Sequence, residues 1–254
     1  MRDRTQASEP IRPRRKGSNR RRKIRRIRRN FFVAFLIDLV VVLGAALVLS
    51  LLIKTFLIRS FFIPSGSMLE TLQIDDRIIV NQLTPAIYPI ERGDVVVFKD
   101  PGGWLGPAFD EPTDPVVVTV DWFLSAFGIT APDSKLHLVK RVIGTEGDRV
   151  ICCDAEGLIT VNGVPISETD YLAPGQAPSS LEFDVTVPKN SLWVLGDNRG
   201  NSEDSRFHGD LPSRGFVSNE WVVGRAFVIS WPFDNWKLLD NYPDVFKNVP
   251  NPSN

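Results

Sequence analysis

A hydrolase built on this sequence would need an uncommon base. The 254-residue chain has two histidines, His137 and His208, and neither completes a His-Glu zinc spacing or a recognisable serine triad. A nucleophile is on offer in Pro64-Ser65-Gly66-Ser67-Met68-Leu69-Glu70-Thr71-Leu72, two hydroxyls in a tight turn. A bend at Gly66 would expose Ser67 and aim its N–H, with a nearby hydroxyl, at a developing oxyanion. The same residues also read as a capping box, with Ser67 at the N-cap and Glu70 three residues later. The missing base is a lysine: in Leu136-His137-Leu138-Val139-Lys140-Arg141-Val142-Ile143, strand alternation puts Lys140 on one face with Leu136, Leu138 and Val142. Desolvation on such a face favours the neutral amine and lowers its pKa from about 10.4. A structural lysine that packs its stem and carries its ammonium to water fits the same pattern. A third run, Gly196-Asp197-Asn198-Arg199-Gly200-Asn201-Ser202-Glu203-Asp204-Ser205-Arg206, follows the apolar Leu192–Leu195. It reads either as a solvated loop or as the hydroxyls and amides that orient a base.

The elements that must position these groups are mostly strands. Phe56–Ile63 is β-branched and aromatic up to Pro64, and Ile78–Val80 and Val95–Phe98 are further strand-like runs, the second introduced by the turn Arg92-Gly93-Asp94. Residues 145–195 read as a small β subdomain, with Asn162-Gly163 between two short apolar runs as a hairpin signal. Lys99–Asp133 is a long insertion rich in Pro, Gly and acids, apart from Val116–Val120 and Trp122–Ile129. Residues 248–254 are expected to be disordered. The two cysteines, Cys152 and Cys153, are adjacent. Two thiols on opposite faces of a strand is the first expectation, a vicinal disulfide the second, and metal ligation has no spacing to support it.

Charge divides the chain. Residues 1–30 hold fourteen basic and two acidic residues, leaving sixteen basic and twenty-eight acidic for the remainder. An acidic body argues against nucleic acid as the main partner. The basic tail is instead explained by Phe31–Ile53, 23 residues with Asp38 as the only charge. As a helix this run is about 34 Å long, enough to cross a bilayer core. Lys54-Thr55-Phe56-Leu57 follows it rather than the small residues of a cleavage site, so it reads as an uncleaved anchor. The positive-inside rule then puts residues 1–30 in the cytoplasm and the body, 54–247, outside. Asp38, about two turns into the span, reads as an acid reaching toward the headgroups or the tail arginines.

Taken together, the three chemical segments resemble the type I signal peptidases, the membrane-anchored leader peptidases of bacteria. In that family a Ser-Gly-Ser-Met segment carries the nucleophile, a Lys-Arg strand the general base and a Gly-Asp-Asn-Arg segment the supporting shell. All three occur here in that order behind an anchor, and Arg92-Gly93-Asp94-Val95-Val96-Val97-Phe98 matches a fourth segment. The resemblance runs from the anchor to about Ser230. It implies a mainly β fold, a largely antiparallel β catalytic domain with a smaller inserted β subdomain. It implies Ser67 as nucleophile, Lys140 as base, Ser65 in the oxyanion hole and Ser202 holding the lysine amine. Phe61, Ile63, Met68, Leu72 and Leu138 match positions near the substrate pockets, and Arg141, Asp197, Asp204 and Arg206 match structural ion pairs. No cofactor and no metal is implied. The partners implied are signal peptides of exported preproteins and the lipid bilayer, with the secretion translocon a further candidate. Gly200 stands where many members have Asp, and Glu70 replaces a frequent proline. An inactive anchored domain that only binds exported peptides, and a self-cleaving Ser-Lys protease, are the competing classes. Ser67 lies fourteen residues beyond Ile53. Of Phe61, Phe62, Trp104, Trp122, Phe123 and Phe127, most are expected in the core; the alternative is that some form an exposed apolar rim that meets lipid.

Overall fold

A computed structural model of the chain describes residues 18–106 and 136–252. The chain divides into two units, Met1–Ser50 and Leu51–Asn254. In the first, helix α1 begins at Ser18 and runs, past the unit boundary, to Phe56. It contains the apolar span Phe31–Ile53, of mean hydropathy 2.9, whose residues are not buried by the rest of the protein. A helix satisfies its backbone polar groups internally, which is what a segment needs in hydrocarbon. By length and composition this one can cross a membrane.

The second unit contains two antiparallel sheets. The large one is built from β1 (Ile58–Phe62), β2 (Arg77–Asn81), β3 (Val95–Lys99) and β4 (His137–Gly144), and its later strands are β9 (Ser191–Leu195), β10 (Val217–Ser218), β11 (Val222–Trp231) and β12 (Lys237–Leu238). Its order is β1-β2-β11-β3-β4-β9-β10, with β12 paired to β11. The small sheet, in the order β7-β6-β5-β8, holds β5 (Arg149–Cys152), β6 (Ile159–Val161), β7 (Val164–Pro165) and β8 (Phe183–Thr186). It is narrower than the expected subdomain 145–195: Ser191–Leu195 pairs with β4 in the large sheet. The Asn162-Gly163 turn joins β6 and β7, with both residues at positive φ, as a two-residue hairpin of this hand requires.

Both faces of the large sheet are covered. On β3, Val95 and Val97 enter one core with Phe61, Met68 and Ile78, while Val96 and Phe98 enter another with Trp104 and Val142. That is why β3 reads as a continuous apolar run rather than an alternating one. The observed register, Lys140 opposite Val96 and Leu138 opposite Phe98, keeps Lys140 on the face that alternation assigns it.

Two expectations are corrected. Residues 248–252 are ordered: Val249 is buried in the core beneath the small sheet, and the Pro250 carbonyl accepts hydrogen bonds from Arg92 and Asn162. Residues 253 and 254 lie outside the described residues, as do Val116–Val120 and the aromatics Trp122, Phe123 and Phe127. The cysteines are joined as a vicinal Cys152–Cys153 disulfide. Strand β5 ends at Cys152, so the alternation that would send the two thiols to opposite faces does not extend to Cys153.

Candidate active site

The turn that carries Ser67 starts where sheet pairing stops. Ile63 still exchanges backbone hydrogen bonds with Asp75 and Asp76, and Pro64, lacking an N–H, cannot continue the ladder. Ser65 is extended, and Gly66–Met68 forms a single 3-10 turn. The capping box is thereby corrected: Ser65, not Ser67, occupies the N-cap position, and Glu70 has a positive φ of 82° after the turn has ended. The Ser67 hydroxyl is spent on a different partner. Lys140 Nζ, on β4, donates to Ser67 Oγ at 2.8 Å, and both residues are buried, at 4% and 9% exposure.

Burial is the main influence on Lys140 and lowers its pKa to about 8; Asp204 and Asp197 pull it back up, while Arg206 pushes it down. Those carboxylates are otherwise committed. Asp197 receives two hydrogen bonds from Arg141 and one from Thr71, and Asp204 receives Arg206 and the Gly196 N–H. The lysine thus has negative charge nearby but no carboxylate in hydrogen-bond contact, a setting in which a neutral amine is accessible near neutral pH.

The loop from Gly196 is locked to the Ser67 turn. Asn198 donates its backbone N–H to the Ser67 carbonyl at 3.1 Å and its Nδ2 to the Gly66 carbonyl at 2.9 Å. A Cβ at Gly196 would lie 2.2 Å from Ser202 Oγ and 2.5 Å from the Ser67 carbonyl oxygen, so only glycine fits between them. Ser202 is buried and its Oγ has no hydrogen-bond partner among the described residues. An unsatisfied buried hydroxyl is uncommon and calls for an explanation. The exposed Ser65 borders the cleft and makes no side-chain cap bond.

The cleft beside Ser67 and Lys140 has a volume of about 130 Å³. Of the expected pocket residues, Phe61, Ile63, Met68 and Leu138 line it, but Leu72 does not: it is wholly buried in the core behind Met68. His137 also lines the cleft. Burial, then the charges of Arg59 and Lys99, pushes its imidazole pKa down to about 4, so it is a poor base at neutral pH. The second histidine, His208, is buried with Nδ1 at 2.8 Å from the Asp204 carbonyl and its ring stacked on Trp104.

Sequence reading did not single out Asn198 or Thr71, although both stand inside the quoted segments. It also did not single out Gln176, which accepts from Gly200 N–H and donates to Asn198, tying down the loop at Gly200. Nor did it find Glu168, whose buried carboxylate pairs with Arg199. No local signal marks Gln176 or Glu168, because each acts on a segment more than twenty residues away.

The antiparallel β body thus carries a buried lysine hydrogen-bonded to a serine hydroxyl. Residues 36–231 match the family described as "Signal peptidase, peptidase S26". The chain belongs to that family and is a hydrolase of the serine-protease type. It is 39% identical over 214 residues to the signal peptidase I of Mycobacterium tuberculosis, covering 76% of this chain and 72% of the relative. It is 38% identical over 210 residues to the probable signal peptidase I of Mycobacterium leprae, covering 72% and 71%. Against the signal peptidase I of Leptolyngbya laminosa the figures are 35% over 191 residues, 75% and 77%. A signal peptidase I crystal structure from Enterococcus faecalis overlays 54% of this chain and 95% of its own, with 22% identity and a TM-score of 0.33.

Proposed function

We propose that the protein is a membrane-anchored endopeptidase that removes signal peptides from exported preproteins by a Ser-Lys acyl-enzyme mechanism. The observation that carries the reading is the 2.8 Å hydrogen bond between the buried Lys140 Nζ and Ser67 Oγ. Neutral Lys140 takes the Ser67 proton as Oγ attacks the scissile carbonyl, and the oxyanion meets Ser67 N–H and Ser65 Oγ. The resulting ammonium protonates the leaving amine. Lys140 then activates the water that releases the acyl-enzyme. Ser202 Oγ, buried without a partner among the described residues, is the group that would orient the amine. On this reading the cleft beside Ser67, lined by Phe61, Ile63, Met68 and Leu138, receives the short side chains before the cut.

The same reading puts the basic tail in the cytoplasm and the catalytic domain outside, by the positive-inside rule. An apolar rim for lipid is supported by residues other than the aromatics that the sequence offers for it. Phe61 and Trp104 are buried, whereas Trp231, Phe233, Trp236 and Leu238 are exposed. They belong to the cleft end of the sheet: Phe62, which borders the cleft, pairs with Arg77, and Arg77 pairs with Trp231. In vesicles with brominated lipid, tryptophan fluorescence of the full chain should be quenched, and less so after Trp231→Phe with Trp236→Phe. Equal quenching in both would remove this rim from the membrane contact.

The test of the reaction is cleavage of a peptide with an Ala-x-Ala site. Ser67→Ala and Lys140→Ala should each reduce turnover at least about a thousandfold, with the double variant little worse because the two act as a unit. The rate should rise with pH and level off above about 8, the Lys140 value, because only the neutral amine accepts a proton. At pH 7 the lowered pKa makes the neutral fraction about 300 times that of an ordinary lysine. Full activity of a folded Lys140→Ala protein would refute the mechanism.

A further inference from the structure

The cleft has an unassigned wall. Among the described residues twelve line it: eleven come from two segments, 61–68 and 137–140, and the twelfth is Leu105, thirty-two residues before His137 in sequence. Leu105 is half-buried and follows directly on Trp104, which is 4% exposed.

The segment leading to Leu105 is held from two sides. Asp100, just after β3, accepts three backbone N–H groups: Gly102 and Trp104 on Oδ1, both at 2.9 Å, and Leu105 on Oδ2 at 3.3 Å. A carboxylate taking successive backbone donors folds the chain around itself. Trp104 is then clamped. Its indole stacks on the His208 imidazole, with centroids 4.2 Å apart and planes within 4°, and meets the edge of Phe98 at 5.7 Å. His208 is itself fixed by its Nδ1 against the Asp204 carbonyl at 2.8 Å. Asp204 also receives Gly196 N–H, so the platform under Trp104 is continuous with the loop that grips the Ser67 turn.

We propose that Leu105 is a specificity-determining residue that limits the size of the substrate side chain entering the cleft beside Ser67, and that Asp100 and the Trp104–His208 stack position it. The inference rests on the peptidase reading above. A substrate side chain in a 130 Å³ cleft meets Leu105 or an element whose position Leu105 completes, so removing three of its carbons should admit a bulkier residue. Discrimination by one or two methylenes in an apolar pocket is typically ten- to two-hundredfold, which sets the scale of the effect.

The experiment compares kcat/KM of the full-length protein in detergent for matched peptides. One has Ala at both specificity positions; two others carry Val at one of them. Leu105→Ala should shift the Val-to-Ala ratio upward by about tenfold for one of the Val peptides, and Leu105→Phe should shift it downward. Asp100→Ala should move the ratio in the direction of Leu105→Ala, and Asp100→Asn, whose one amide oxygen can still accept from Gly102 and Trp104 but leaves Leu105 N–H without its acceptor, should restore it in part. That rescue, read as a ratio, is something a merely destabilised protein would not give. If Leu105→Ala does not fold by circular dichroism, Leu105→Phe decides. A ratio unmoved by the folded Leu105 variants, while the wild type cleaves, overturns the inference alone. An Asp100→Ala ratio equal to wild type overturns its positioning half. A wild-type protein that cleaves none of the peptides overturns the peptidase reading and this inference with it.

Discussion

In the large sheet the Arg141–Asp197 and Arg206–Asp204 pairs have no side-chain exposure, whereas in the small sheet the Arg149–Asp184 pair is 60% and 50% exposed. The contrast follows the chemistry. Burying a charge pair costs desolvation that its attraction offsets only when hydrogen bonding is complete, so a scaffold without a site has little use for one. Around Ser67 and Lys140 the pairs have a geometric purpose. Asp197 bridges Arg141 to Thr71, four residues past the nucleophile, and Arg141 also donates to the Gly93 carbonyl while lying 4.3 Å from the Tyr171 ring centre. Asp204 holds Gly196, the glycine wedged between Ser202 and Ser67. The buried charges tie four separate segments to one point, whereas the Arg149–Asp184 pair within the small sheet stays in water.

The sharpest way to break this contrast is Asp197→Ala. It leaves the Arg141 guanidinium fully buried without its carboxylate, and removing one partner of such a pair costs about 3–5 kcal/mol. Denaturant unfolding should show that loss as a lower midpoint at an unchanged slope. A loss below about 1 kcal/mol would mean that Arg141 is held well enough by the Gly93 and Asp240 carbonyls, the Thr71 hydroxyl and the tyrosines.

Lys140→Met should act with the opposite sign. The folded-state pKa of Lys140, about 8, lies below the ordinary value of 10.5. Below pH 8 the folded protein carries the whole cost of a buried ammonium, roughly 3 kcal/mol for a shift of that size. Between pH 8 and 10.5 only the unfolded chain still binds the proton, so wild-type stability rises with pH; above that window the cost is gone. The methionine variant should therefore be inactive and more stable than wild type at pH 7, with the gain shrinking toward pH 10.5. A gain that does not change with pH would point to packing rather than to the charge.

How much of this was legible in the residues depends on distance along the chain. Ser67, Lys140 and the run from Gly196 each stand out within a dozen residues, because a small-residue turn, a lysine on an apolar face and a dense polar loop are local anomalies. The hairpin at Asn162-Gly163 was equally local. The tethers were not: Thr71 meets Asp197 across 126 positions, and Arg92 meets the Pro250 carbonyl across 158. Nothing near Asn248–Asn254 advertises that Val249 enters a core, since one valine among Asn and Pro residues has no periodicity. Trp104 is in the core, as expected of most of these aromatics, but what it packs against was hidden for a related reason: the stacked His208 lies 104 residues later. The capping-box pattern failed in an instructive way: Ser and Glu stand at the right spacing, but a 3-10 turn of three residues ends before Glu70, and the serine hydroxyl goes to Lys140.

The smallest expected effect sharpens the comparison from the other side. Arg149→Ala removes the exposed ion pair yet keeps what the hairpin uses, because Arg149 meets Asn162 through its backbone N–H and carbonyl. Exposed pairs gain little from attraction in water, lose side-chain entropy and are screened by salt. The variant should therefore melt at the wild-type temperature within error, in both low and high salt. Asn162→Ala in the same sheet should be clearly worse, since Asn162 holds a positive φ of 51° and donates to both Asp148 and the Pro250 carbonyl. If Arg149→Ala lowered the melting temperature as much as Asp197→Ala, exposure would not be what separates the two sheets. The tethering of Ser67 and Lys140 could then no longer be credited to the buried pairs in particular.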